Sequence, residues 1–127
     1  MKNKLKDVQK FMEIFELGYQ KEPTAKISLE KIKLRFDLMK EENEEYLEAA
    51  KNNDLVEIAD ALGDMLYILL GTVLEHGLQH KFEAVFNEIQ RSNMSKLDEN
   101  GNPIYREDGK VLKGPNYFKP KIKEILD

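Results

Sequence analysis

Apolar positions follow two textures along the chain. From residue 3 to about 94 they recur three and four apart, the spacing of a helix face. Beyond Lys96 they scatter among prolines, glycines and charges. In NKLKDVQKFMEIFELG (residues 3–18), Leu5, Val8, Phe11, Met12 and Phe15 line one face, with Gly18 as the stop. Residues 19–27, around Pro23, read as a loop. Ser28 or Thr24 caps a second helix that runs to about Asn52. Asp54 with Glu57 forms an acidic variant of the capping box, opening a third helix to about His76, where Gly77 ends it. A fourth, over about 80–94, carries Phe82, Val85, Phe86 and Ile89. Asn100-Gly101 and Asp108-Gly109 are turn signals, Gly114 before Pro115 sets another, and Pro103, Pro115 and Pro120 forbid a long helix. The pattern predicts an all-α fold: a bundle of four main helices followed by an irregular C-terminal arm or hairpin, with a short helix at Ile122–Leu126. One domain is expected over 1–127, with the helical core at about 3–95 and the arm at about 96–127.

Composition narrows the class. A chain of 127 residues, 41% apolar and 35% charged, has enough material for a core and is not of the disordered type. Its longest apolar run, Met65–Leu70, is far too short to span a membrane, and the N-terminus lacks the apolar stretch of a signal peptide. A cytoplasmic location is expected. No cysteine is present, which removes disulfides and thiolate chemistry. The only histidines, His76 and His80, flank a helix end and read as surface residues, so zinc is not favoured. Charge is unevenly spread. Residues 41–64 hold nine acids and one base, a net of −8, while residues 91–127 hold eight bases and six acids, a net of +2. An acidic middle asks for cations, and a mildly basic tail suits anions. No helix is basic enough for duplex nucleic acid.

The acids sit on particular faces. On the second helix, Glu42 and Glu45 fall inside the apolar stripe of Leu34, Leu38, Met39, Tyr46 and Ala49, whereas Glu41, Glu44 and Glu48 lie to its side. On the third, Glu57, Asp60 and Asp64 share one arc that Tyr67, Ile68 and Gly71 continue into the most apolar part of the helix. Unpaired carboxylates facing a core repel one another and are costly to desolvate. A hard divalent cation, Mg²⁺ or Mn²⁺, would remove that cost, and oxygen ligands without Cys or His suit those ions. Simpler accounts stand beside this one. Glu41, Glu44 and Glu48 read as a solvated face, Glu57 as a capping-box residue, and Asp64 as an ion-pair partner for Arg35 or Lys31.

These residues resemble a known family. LMKEENEEYLEA followed by DLVEIADALGDMLYILLGT is similar to the all-α nucleoside triphosphate pyrophosphohydrolases, the superfamily of MazG-like proteins, dimeric dUTPases and phosphoribosyl-ATP pyrophosphohydrolases. Its motif, E-E-x-x-E on one helix and E-x-x-D on the next, matches Glu41, Glu42 and Glu45, then Glu57 and Asp60. RSNMSKLDENGNPIYREDGKVLKGPNYFKP resembles the phosphoribosyl-ATP pyrophosphohydrolase-like branch. The resemblance covers about Phe11 to Pro120. One departure stands out: many relatives read E-L-G-D at the end of the second motif, and that register here gives Ala61 and Asp64.

The resemblance implies hydrolysis of a nucleoside triphosphate between the α and β phosphates, with Mg²⁺ or Mn²⁺ as cofactor. It implies Glu42, Glu45, Glu57 and Asp60 at the metals, with Asp64 as a further ligand or a supporting group. Glu41 would orient or deprotonate the attacking water. Lys96, Lys110 and Lys113 would contact phosphates, Asn93 phosphate, sugar or base, and Tyr117 with Phe118 would stack on the base. As an alternative, Asn93 and Ser95 simply end the fourth helix. Members are usually homodimers or homotetramers, and a role in clearing unwanted nucleotides is expected from the resemblance alone. The contrasting reading is a non-catalytic helical interaction module that keeps a relict acid cluster.

Overall fold

A computed structural model describes residues 1–127. It contains five helices and no β-strand, and it is an all-α protein. The chain folds as two compact units, Met1–His80 and Lys81–Asp127.

The first unit holds α1 (Lys2–Ile14), α2 (Leu29–Lys51) and α3 (Leu55–Glu75). Each boundary has a local cause. Ser28, not Thr24, caps α2: its hydroxyl accepts from Lys31 N at 3.2 Å. Thr24 instead closes a turn of its own, accepting from Lys26 N at 3.1 Å. Asp54 caps α3 by accepting from Glu57 N at 3.2 Å. All three helices end in the same way. A residue in the left-handed region follows the cap, and the next N–H reaches back five residues. Asn53 (φ 53) and Gly77 (φ 67) suit that conformation. Glu16 (φ 56) does not, yet it ends α1, with Leu17 N bonded to Met12 O at 2.9 Å. The helix therefore stops four residues before Gly18, because packing of Met12 overrides the preference for glycine.

α3 is the central element, packing against both α1 and α2. Its buried Ala61, Leu70, Val73 and Leu74 join Leu5, Val8 and Met12 of α1 and Ala49 of α2. The loop after α1 clasps the end of α3: Gln20 N bonds Leu74 O at 3.0 Å and Thr24 N bonds His76 O at 2.9 Å. His76 Nδ1 lies 2.9 Å from Thr24 O, so this histidine is a half-buried fastening and not the surface residue expected. His80 is exposed.

The second unit holds α4 (Phe82–Met94) and α5 (Ile122–Leu126). The arm between them is ordered by polar contacts. Ser92, buried, donates to Phe118 O at 2.8 Å, and Ser95 Oγ accepts from Phe118 N at 3.2 Å. Arg91 lies over the Phe118 ring, 4.2 Å from its centre. The turn signals form a small hairpin, with Arg106 N to Lys110 O at 2.8 Å, Leu112 N to Ile104 O at 2.7 Å, and Gly109 (φ 88) in the turn. Gly114 rests against the Leu97 carbonyl, where any Cβ would collide with backbone.

Candidate functional site

α2 and α3 run antiparallel, which sets Arg35 opposite Ile68 and Thr72, and Glu42 opposite Asp60 and Asp64. Glu42 is half-buried, and its Oε2 is sealed from solvent without a hydrogen-bond partner. Burial pushes its carboxyl up to about 7, helped by hydrogen bonding and charge from Glu45 and by the charges of Asp64 and Asp60.

No base relieves them. Lys40 turns to Glu44, at 3.9 Å, on the exposed side of α2. Lys31 pairs with the buried Glu75 of α3 at 3.5 Å. Arg35 donates from Nε to Thr72 Oγ1 at 3.0 Å and from Nη2 to Ile68 O at 2.8 Å. The ion-pair account of Asp64 is thus overturned: both bases that could have reached it are committed elsewhere. The capping-box account of Glu57 also fails. Its N–H is capped by Asp54, but its carboxylate does not reach back, because Asp54 N is already bonded to Ala49 O at 3.0 Å in closing α2.

Of the acids singled out in the sequence, Glu45, Asp64 and Asp60 are the ones whose charges raise the Glu42 carboxyl, and all three are exposed. Glu57, one turn earlier on α3, is exposed and without a side-chain bond, as is Glu41 on α2. Ala61, where relatives of the E-L-G-D register carry glutamate, is 2% exposed and belongs to the core. No three acidic or histidine side chains, as oriented here, are close enough to enclose an ion. The donor chemistry nonetheless fits a hard cation: all-oxygen, unpaired, with one sealed carboxylate oxygen lacking any protein partner. Glu42, Glu45, Asp60 and Asp64 are the residues able to hold it, with Glu57 adjacent.

The remaining expected residues lie in the second unit. Lys113 Nζ stands 4.8 Å from the centre of the Tyr117 ring. Asn93 and Lys96 border a cavity of about 320 Å³ with Leu97, Pro103 and Val111. Lys110 is exposed beside the hairpin turn. Sequence reasoning missed Arg35, which it offered only as an ion-pair partner. The available signal was Gly71, a glycine inside the most apolar helix: the Arg35 guanidinium lies against it, and any side chain there would run into Nη2.

The chain is thus an all-α protein with unpaired carboxylates on two antiparallel helices. Comparison with known proteins is more specific. The family model for phosphoribosyl-ATP pyrophosphohydrolase matches residues 8–93, from within α1 to the last turn of α4. The chain belongs to that family, which is of the MazG-like all-α type. The uncharacterized protein L479 of Acanthamoeba polyphaga mimivirus is 36% identical over 69 residues. That stretch is 54% of this chain and 28% of the viral protein, so the chain spans well under two thirds of that relative's length. No helix is long and apolar enough to cross a membrane.

Proposed function

We propose that this chain is a Mg²⁺-dependent nucleoside triphosphate pyrophosphohydrolase, with Mn²⁺ able to substitute. It cleaves between the α and β phosphates to give a nucleoside monophosphate and pyrophosphate, and it serves to clear unwanted nucleotides. The observation that carries this reading is Glu42: a sealed carboxylate oxygen on a carboxyl that three further carboxylates push up, with Lys31, Arg35 and Lys40 of the same helix engaged elsewhere. Such an arrangement is costly in a protein that does not use it. A triphosphate could not approach it bare, since both are anionic.

Glu42, Glu45, Asp60 and Asp64 would hold the ions, with Glu57 completing the set toward the start of α3. Bound Mg²⁺ supplies charge neutralisation for the phosphates and acidifies water. The chain's own work is positional. The paired helices would present these carboxylates from two sides, and Glu41, exposed and unpartnered, is free to orient the attacking water or take its proton. Self-association belongs to the same proposal. Leu55 (77% exposed), Val56 (75%), Leu29 (70%) and Phe36 (65%) are large apolar side chains left open in the first unit, and a homodimer or homotetramer would cover them.

The test is product analysis by mass spectrometry after incubation with Mg²⁺ and a panel of nucleoside and deoxynucleoside triphosphates. Monophosphate plus pyrophosphate is expected; inert nucleotides with both Mg²⁺ and Mn²⁺ would refute the activity. A melting temperature that Mg²⁺ plus non-hydrolysable nucleotide fails to raise would then favour a non-catalytic interaction module. Light scattering on the purified chain tests self-association, and a monomer at every concentration would remove it.

A further inference from the structure

Beyond the acids, α1, α2 and α3 together frame a cavity of about 240 Å³, bordered by Phe11 and Met12 of α1, Arg35 and Leu38 of α2, and Tyr67 and Gly71 of α3. Its walls are apolar, and Phe11 and Tyr67 meet edge to face within it, 5.6 Å apart at 90°. Arg35 is its charged member. The guanidinium is fixed by two hydrogen bonds, to Thr72 Oγ1 and Ile68 O, with its Nη2 closest to Gly71. Its Nη1 has no hydrogen-bond partner in the protein. An apolar slot with aromatic walls and one prepositioned donor suits a flat heterocycle with a polar edge.

Position ties this cavity to the acids. Arg35 precedes Glu42 by seven residues, and Gly71 follows Asp64 by seven. On both helices that is about two turns, or about 10 Å along the groove. A nucleotide whose phosphates lay at the carboxylates would extend its sugar and base over that interval. The edge of the base furthest from the sugar would then meet Arg35.

We infer that Arg35 reads the nucleobase of the substrate and selects bases that carry a keto oxygen on the edge away from the sugar. The inference rests on the proposed triphosphate activity. A guanidinium only donates hydrogen bonds. Uracil, thymine, guanine and hypoxanthine offer it a carbonyl oxygen at that edge, whereas cytosine and adenine present an amino group. Two donors would then face each other in a largely apolar slot, each without its partner. Because Thr72 and Ile68 hold the guanidinium, it cannot swing aside to relieve the mismatch.

The experiment compares bases that differ only at that edge. Hydrolysis of dUTP against dCTP, and of dITP against dATP, is measured on the full chain, and binding of the four monophosphates is followed by calorimetry. The keto member of each pair is expected to lead by about tenfold in kcat/KM and in affinity, as for a site built to bond one substrate group. Arg35→Met should reduce the ratio in both pairs to about threefold or less, and Arg35→Lys should retain part of it; circular dichroism checks that each variant is folded. Equal turnover and equal binding within each pair would overturn the inference while leaving the hydrolase reading intact. A preference that survives in folded Arg35→Met would equally overturn it. Keto preference in monophosphate binding, lost in Arg35→Met, would support it even if no triphosphate were hydrolysed.

Discussion

Glu42 and Glu88 are both half-buried glutamates on helices, one in each unit, and their surroundings are opposite. Glu88 is gripped by the fork of Arg91, at 2.8 and 3.0 Å, and by Lys121 N at 2.7 Å. The Arg91 hydrogen bonds first, then the Lys121 N–H, hold its carboxyl down at about 2. Glu42 is pushed up to about 7 by burial and by three other acids. Lys31, Arg35 and Lys40 lie on the same helix as Glu42. Each is turned to another partner. In the second unit charge is used to fasten the arm to a helix. In the first, charge is left unsatisfied where a cation and its anionic cargo would satisfy it.

Breaking the contrast at its unsatisfied end should have the largest effect. Glu42→Gln is expected to lower pyrophosphate release by about 100-fold, in the range for loss of a metal-site group. Without Mg²⁺ its melting temperature should rise, because a repelling charge is gone. Full activity in this variant would remove Glu42 from the site. The fastened end has its own weak points. Gly114→Ala drives a methyl group into the Leu97 carbonyl and should cost the second unit about 2 kcal/mol or more, read by denaturant unfolding. Ser92→Ala strips the Phe118 carbonyl of its buried donor, a loss of about 1–2 kcal/mol by the same measurement.

The two glutamates should also give opposite pH slopes in metal-free protein. Glu42 binds its proton more tightly folded than unfolded, so between about pH 4.5 and 7 its contribution to stability falls as pH rises. Glu88 binds its proton less tightly folded. Its contribution is present above about pH 4.5 and is lost as pH falls toward 2. Melting temperatures of Glu42→Gln and Glu88→Gln against the parent should diverge at opposite ends of the scale; parallel curves would mean that neither environment is as described. The smallest effect is expected from Lys113→Ala, a rise of about threefold in KM, the scale of one exposed charge contact. An unchanged KM would leave the second unit's lysines without a part in binding.

Much of this was legible in the chain. The caps Ser28 and Asp54, the stop at Gly77, the two turn signals of the arm and the short helix Ile122–Leu126 all depend on residues within one turn of each other, and all are where the pattern placed them. Helical periodicity fixes which residues share a face, and so puts Glu42 and Glu45 on one face of α2 and Glu57, Asp60 and Asp64 on one face of α3. The end of α1 was not legible: Glu16 accepts a left-handed backbone that local preference assigns to Gly18, since Met12 is drawn into the core. Asn93 and Ser95 of RSNMSK read as a helix end, whereas the grip of Ser92 and Ser95 on Phe118 spans more than twenty residues of chain.

The sequence by itself therefore determined the helices and the face of each that bears acid, because both follow from neighbours three and four residues apart. The tertiary structure alone decided which acids raise the Glu42 carboxyl, that Lys31 and Arg35 turn to other partners, and that Arg35 ends beside a cavity. Those outcomes depend on the antiparallel register of α2 against α3, set by bonds between residues 33 and 37 apart in the chain. No short-range preference encodes that register; it is fixed only when Arg35 settles against Gly71 and the core of α3 closes around it.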